Sequence, residues 1–393
     1  MIHIASVISD SNIGGAGTVL LTLLKYADLA QFRHTVIVPL GSKLTPRIRA
    51  LFGMAEPVAD DLDAVLKTLT DGAGAKPPVE IWEVPEIAEQ SYSRAGVGVL
   101  RMAFAKIRPD VVHTHGSLSA RVAAKFMRIP AVTTRHSVFE PEERDTRFPR
   151  RLILGAVNNF FSKRIIAVSP AAAKNLTDTG TLKRKITVVM NGCEPARELT
   201  DEESRAAAAE YGAENAEFVC AIIARLEEVK GHFDLIETAK LLREYPIKIL
   251  AAGTGSLEFE LRRHALDEGL RNIDFLGFLP DVYRLENAMD AQLNCSYGTE
   301  ATSISLLEGM SLGKPAIVTD FGGNPYVIRN GVNGLVVPTR HPVAMAEAIL
   351  RLYRDRELYD ELSRGAKQAY AEGFTAETMT RATERIYREV LEK

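Results

Sequence analysis

The sequence predicts an α/β protein of two Rossmann-like domains, each a parallel sheet covered by helices, facing each other across a cleft. Three observations lead there. At 393 residues the chain is too long for one ordinary core and suits two. Short β-branched runs alternate with amphipathic helical stretches through both halves, the pattern of parallel strands joined by crossover helices. A hydrophobic content of 46% and a charged content of 25% are those of a globular protein.

In the first half, strands are expected at 2–8, 34–39, 79–84, 110–114, 130–134, 164–168 and 185–189. A helix is expected at 91–107, where Val97, Leu100, Phe104 and Ile107 form one stripe and Pro109 stops it. Residues 71–78, rich in Gly and Pro, read as a loop. After the first strand, Ser11-Asn-Ile-Gly14-Gly15-Ala-Gly17-Thr18 leads into a helix, and glycines there let backbone approach a phosphate or sugar closely. A dinucleotide site is disfavoured. Leu20 replaces the third glycine of that fingerprint, and Pro39-Leu-Gly-Ser-Lys43 stands where an acidic ribose partner is needed.

His113 and His115 stand two residues apart at the carboxyl end of a buried strand, where open α/β sheets bind ligands, and face the same side. No third His, Cys or carboxylate follows at ligand spacing, so no metal site is expected. His136 follows the strand Ala131 to Thr134 and stands at another strand end, where it can meet an acceptor. For each of the three, a hydrogen-bonded structural role is the alternative. Between Glu140 and Arg164, a charged, Pro-bounded loop precedes a helix. Arg150, Arg151, Lys163 and Arg164 mark its ends, with Leu152, Ile153, Leu154, Phe160 and Phe161 between. Basic ends around an apolar middle can make peripheral contact with an anionic membrane; an ordinary packed helix with solvated charges is the competing reading. Asn191-Gly192 closes the last strand, and the polar stretch from Glu194 to Thr200 reads as a linker.

The second half repeats the alternation, with strands expected at 218–224, 248–251, 273–276, 291–295, 316–319 and 335–337. Its first strand runs into Arg225-Leu-Glu-Glu-Val-Lys230-Gly231. An Arg and a Lys five apart at a strand's carboxyl end suit a diphosphate, the Arg by its planar fork and the Lys as a point charge. Gly253 and Gly255 form a second glycine loop before a helix and are expected to line the nucleotide. Helices follow at 342–352 and 355–370. A last one carries Met379, Ala382, Ile386 and Val390 in a stripe.

The stretch from Tyr297 to Gly323 holds the densest chemistry. Glu300 lies in a polar loop after a strand, and Glu308 lies inside a helix that starts near Ser303 among Ile304, Leu306, Leu307, Met310 and Leu312. A carboxylate in that company must be paired, hydrogen-bonded or lining a cavity. Thr302 or Ser303 can cap the helix, so the backbone of Thr302, Ser303 and Ile304 opens as a phosphate seat with an acid on each side.

Glu300 and Glu308 with seven residues between them, then Gly309-Met310, Gly313-Lys314-Pro315 and Gly322-Gly323, resemble the donor-site signature of retaining GT-B glycosyltransferases of family 4. With the Arg225/Lys230 loop, the resemblance covers nearly the whole chain. It implies a GT-B fold, with an acceptor-binding domain over 1–190 and a nucleotide-sugar domain over 191–373. A terminal helix over 374–393 would cross back onto the first. It implies a nucleoside diphosphate-sugar as donor substrate and a glycan, lipid-linked or small-molecule acceptor. No cofactor is expected, and no metal either, since with Glu300 and Glu308 assigned the nearest spare acid, Asp320, stands alone in sequence. By the same resemblance Glu300 contacts the transferred sugar, Glu308 holds the ribose, and Arg225 and Lys230 meet the diphosphate. His115 lies beside the donor sugar, Gly14 and Gly15 over the diphosphate, and Gly17 beside the acceptor. Two departures touch the donor pocket: Ala301-Thr302-Ser303 stands where the family usually has Gly-Phe-Gly, and Tyr326 stands where a Glu usually follows the double glycine.

A net charge of −3 and a pI near 6.3 give no reason to expect nucleic acid. Cys193, Cys220 and Cys295 are scattered and odd in number, so a reducing cytoplasm is expected rather than a disulfide framework. The N-terminus enters a strand without the features of a signal peptide, and no apolar run approaches the roughly 20 residues of a membrane span.

Overall fold

The computed structural model of the chain describes residues 1–54, 78–85, 87–88, 90–138 and 143–392. The loop expected at 71–78 lies outside them except for Pro78, as does Glu140.

Two all-parallel sheets form the two domains. The first contains β1 (Ile2–Ile8), β2 (Phe32–Pro39), β3 (Val79–Val84), β4 (Val111–His115), β5 (Ala131–Arg135), β6 (Arg164–Ala167) and β7 (Ile186–Val188), in the order 3-2-1-4-5-6-7. The second contains β8 (Phe218–Ile223), β9 (Ile247–Ala252), β10 (Ile273–Gly277), β11 (Ala291–Asn294), β12 (Ala316–Thr319) and β13 (Gly334–Val337), in the order 10-9-8-11-12-13. In each sheet the chain winds outward from its first strand, then returns to that strand's other side. The crevice outside the carboxyl ends of β1 and β4, and of β8 and β11, is where such sheets bind ligands. The glycine loop, the histidine strand, the Arg225 loop and the Glu300 loop all leave from those four strand ends.

Strands covered on both faces are buried almost throughout. In the first domain, Leu100 and Phe104 pack beneath β1 and β4 on one face, against Ala5, Val7 and Val112. The other face is closed partly by the terminal helix Ala376–Leu391, whose Met379, Ile386, Tyr387 and Val390 join Ile4, Phe32, Val111 and Val132. Fully burying one such side chain stabilises by roughly 2–3 kcal/mol, so this helix is an integral part of the first domain's core. The chain reaches it by crossing between domains a second time, alongside the first crossing. The Cys193 N–H donates to the Phe374 carbonyl (3.1 Å) and the Ala376 N–H to the Cys193 carbonyl (2.9 Å).

Local chemistry sets the element ends. The helix expected at 91–107 begins at Arg94, because the Ser93 hydroxyl accepts the Gly96 N–H as its cap. The basic helix spans Arg150–Phe161. It stops short of 164 because the Lys163 N–H already donates to the Ala131 carbonyl (2.8 Å), and Arg164 opens β6. The polar stretch from Glu194 runs to Thr200, which with Glu203 forms a capping box that starts a helix at Asp201. All three cysteines are free and buried. Among the described residues no helix is long and apolar enough to cross a membrane.

Candidate active site

Glu300 is held by three donors. Its Oε2 accepts from Lys230 Nζ (2.9 Å), Asn294 Nδ2 (3.1 Å) and Ser296 Oγ (3.1 Å), and the residue is only 7% exposed. Partners of this kind are what an ionised carboxylate needs out of water. Asn294 ends β11 and Ser296 follows two residues on, a period-two spacing visible in the sequence outside the recognised motif. Lys230, on the turn after β8, also donates to the Thr299 carbonyl (3.0 Å). The double glycine clamps the same loop from behind. The Gly323 N–H donates to the Glu300 carbonyl (3.0 Å), and a Cβ on Gly323 would lie 1.5 Å from the Ala301 carbonyl oxygen. Gly322 has φ +60° and would bring a Cβ within 2.1 Å of the Glu300 carbonyl, so both positions require glycine.

Ser303 caps the helix Ile304–Ser311, and the Ser305 hydroxyl donates to the Ile223 carbonyl (3.2 Å), tying the helix start to the end of β8. Thr302 reaches the other domain, its hydroxyl donating to the Val168 carbonyl (2.7 Å). Ala301 packs with Val138, Val168 and Ala172. The tripeptide that departs from Gly-Phe-Gly thus joins the two domains at the floor of the cleft. Above it lies a cavity of about 310 Å³, lined by Gly15 and His136 from the first domain and by Arg225, Lys230, Glu300, Thr302, Ser303 and Ile304 from the second. Two cations and a helix N-terminus facing one cavity make an anion seat.

The histidines divide their roles. His113 is wholly engaged, Nδ1 with the Tyr387 hydroxyl (2.6 Å) and Nε2 with Thr134 Oγ1 (2.7 Å), and burial pushes its pKa down to about 3. His115 Nδ1 pairs with His136 Nε2 (2.8 Å), one ring donating to the other. Burial holds His115 well below the ordinary imidazole range, aided by His113 and His136, and brings His136 to about 4, so both are neutral near pH 7. His136 lines the cavity. His115, expected beside the donor sugar, stands behind it.

Four other expectations change. Glu308 is not among the residues lining this cavity; its carboxyl meets that of Glu286, a buried residue that no motif marks. Burial raises both, Glu286 to about 9, so the two carboxyls share a proton. Gly17 faces Leu44 rather than the cleft: a Cβ there would meet Leu44 Cδ2 at 3.0 Å. Gly253 and Gly255 press against the Arg225 loop, where a Cβ would fall 2.0 Å from the Ala224 carbonyl and 2.3 Å from the Leu226 carbonyl. They position that loop and are not among the residues lining the cavity. Gly14 precedes the helix Gly15–Tyr26 as its cap residue, leaving Gly15 to reach the cavity. Tyr326 is 49% exposed. A possible metal-ligating cluster, Glu237, His264 and Glu268, lies on outer helices, and Lys240 bridges its two carboxylates at 3.3 and 3.1 Å.

Two Rossmann-like lobes meeting at their switch points around a cationic cavity define the GT-B fold class. Residues 13–197 match the model of Glycosyltransferase Family 4, and residues 202–369 match that of Glycosyl transferases group 1. The chain belongs to family 4 of the GT-B glycosyltransferases. It is 38% identical over 142 residues to a D-rhamnosyltransferase of Pseudomonas aeruginosa, 34% of this chain and 35% of that one. It is 24% identical over 347 residues to a D-inositol 3-phosphate glycosyltransferase of Paenarthrobacter aurescens, 81% of this chain and 82% of that one. With the first four curated relatives, the matched region spans between 35% and 56% of their length. Among solved structures, Anabaena HepE in complex with UDP-glucose superposes with a TM-score of 0.80 at 18% identity, over 99% of this chain and 100% of that one.

Proposed function

We propose that the protein transfers a sugar from a nucleoside diphosphate-sugar to an acceptor hydroxyl, with retention at the anomeric carbon, in the synthesis of a bacterial cell-surface polysaccharide or glycoconjugate. The observation that carries this reading is the convergence of Arg225, Lys230 and the Ile304–Ser311 helix N-terminus on one cavity with Glu300. Breaking a sugar–phosphate bond moves negative charge onto the diphosphate. Fixed donors aimed at that charge lower the barrier. Lys230 spends two of its three N–H groups on Glu300 and Thr299, which aims the third at the cavity. Arg225 is exposed at the cavity wall and offers its fork to a second phosphate oxygen. With two cations and a helix terminus in place, the leaving group needs no divalent metal. Glu300 orients the transferred sugar, and neutral His136 faces the acceptor side. Ribose recognition by Glu308 requires its carboxyl to leave Glu286.

Similarity to an O-antigen chain mannosyltransferase of Escherichia coli and to an N-acetyl-alpha-D-glucosaminyl L-malate synthase of Bacillus anthracis supports a hexosyl or N-acetylhexosaminyl donor. Uridine nucleotides are the first to try, since HepE was crystallised with UDP and with UDP-glucose. The test is a screen of UDP-, GDP-, ADP- and dTDP-sugars for nucleotide release with and without acceptor alcohols, in EDTA. Release that depends on acceptor and survives EDTA is expected. Binding without release would make the protein a non-catalytic binder, and sugar conversion without acceptor would make it an epimerase. Loss of activity in EDTA with rescue by Mn²⁺ would overturn the metal-free account.

A further inference from the structure

The helix Arg150–Phe161 is packed on one side only. Gly155 is its one buried residue, while Leu152, Ile153 and Phe160 are 65%, 58% and 60% exposed, and Phe148 just before it is 82% exposed. Positions 153, 156 and 160 fall on one helical face, so the apolar side chains run as a row for the helix's length, about 18 Å. Scattered exposed apolar residues need no explanation, but a continuous row does.

Charge gathers around this row. From Val111 to Cys193 the chain has fourteen Lys or Arg and five Asp or Glu, a net of +9 within a chain of net −3. Some are matched: Arg147 by Glu143, Arg150 by Asp145, and Arg164 by Glu389. Lys125, Arg128, Lys163 and Lys185 have no acidic partner within 4 Å among the described residues. These four line a cavity of about 590 Å³ together with Phe160 and Leu391, at the amino ends of β5 and β6. Lys125 Nζ lies 4.4 Å from the Phe160 ring centre. Lys185 Nζ donates to the Ser162 carbonyl at 2.6 Å and to the Asn159 carbonyl. Burial lowers the Lys185 pKa, and its neighbours Lys125, Arg184, Lys163 and Arg164 lower it further, as expected of cations gathered without a counter-charge.

We propose that this flank of the first domain docks on an anionic phospholipid bilayer. Headgroup phosphates would enter the Lys125–Lys163–Lys185 cavity, and Phe148, Leu152, Ile153 and Phe160 would enter the interfacial layer. Unmatched cations beside an exposed apolar row are what such a surface complements. A free phosphate would answer the cations and leave the apolar row in water. The helix runs from the loop after β5, near the cleft, down to the base of β6. A bilayer along this flank therefore touches both the cleft rim and the basal cavity, which places the acceptor side within reach of a lipid-linked substrate. The docking itself does not depend on the donor or the reaction.

Sedimentation of the full chain with phosphatidylcholine vesicles containing phosphatidylglycerol, and with phosphatidylcholine alone, tests this. Binding to the anionic vesicles at low salt, and its loss at high salt or without phosphatidylglycerol, is expected. Each cation near such a surface contributes about 1 kcal/mol, so Lys125→Ala and Lys163→Ala should each weaken partitioning about fivefold. Phe160→Ser should weaken it as well, and all three exposed variants should melt with the wild type. No sedimentation with anionic vesicles at low salt overturns the proposal, as does undiminished binding of a Lys125→Ala/Lys163→Ala double variant. Inorganic phosphate or glycerol phosphate that binds the wild type but not the double variant, while vesicles bind neither, would assign the cavity to a free phosphate and overturn the lipid assignment.

Discussion

Replacing Lys230 by alanine should affect both stability and turnover, and the two effects can be separated. The Lys230–Glu300 pair is buried, with side-chain exposures of 13% and 8% and a separation of 2.9 Å. Breaking a buried pair by removing one partner typically costs 3–5 kcal/mol, because the other charge is left without compensation. Asn294 and Ser296 still donate to Glu300, so the low end of that range applies, about 3 kcal/mol. A domain of this size loses roughly 2–4 °C of melting temperature per kcal/mol, so a drop on the order of 10 °C is expected. In a Glu300→Gln background the stranded charge is absent, and Lys230→Ala should then cost far less. A double-mutant cycle by urea unfolding should return a coupling of about 2–3 kcal/mol. Turnover should fall separately, by about 10²–10³ in kcat with a smaller change in KM, because the lysine meets charge that develops only as the sugar leaves. Additive stability effects would refute the buried-pair reasoning. A normal kcat in Lys230→Ala would refute the role of the lysine in the chemical step.

Glu286 and Glu308 make a pH prediction. The folded pKa of Glu286, about 9, lies above that of the unfolded chain, so its favourable contribution is full below about pH 4.5 and is lost as pH rises through 9. Glu286→Gln should flatten this decline and raise stability near pH 7 by up to about 3 kcal/mol, read by urea titrations across the range; a variant with the wild-type pH slope would contradict the shared proton. Gly323→Ala should displace the Glu300 loop, since its Cβ would lie 1.5 Å from the Ala301 carbonyl. A loss of more than about 4 kcal/mol, or a folded protein without nucleotide affinity, is expected, and an unchanged melting curve would show that the loop yields freely.

Thirteen strands in two parallel sheets were legible in the sequence, with ends off by a residue or two, because a strand buried on both faces must announce itself as a local apolar run. The strand-to-helix loops were legible for a related reason. Parallel winding sends Arg225, Lys230 and Glu300 to carboxyl ends at the switch point, wherever their partners lie along the chain. Direction was not legible. Glu308 was recognisable as a buried acid that needed a partner, but that the partner is Glu286 depends on how two helices pack. His115 and His136 were visible as strand-end histidines, yet that His136 lines the cavity while His115 pairs with it at 2.8 Å depends on how the neighbouring strand ends sit. Gly253 carried the pattern of a ligand loop, and only the 2.0 Å approach of the Ala224 carbonyl shows that the glycine serves backbone packing. Thr302 and Val168 stand 134 residues apart, and no local pattern encodes their bond. Sequence periodicity reports which face of an element is buried. It does not report what lies against that face, because the partner is chosen by the packing of distant segments, and at this site that packing decided which of the recognisable residues face the cavity.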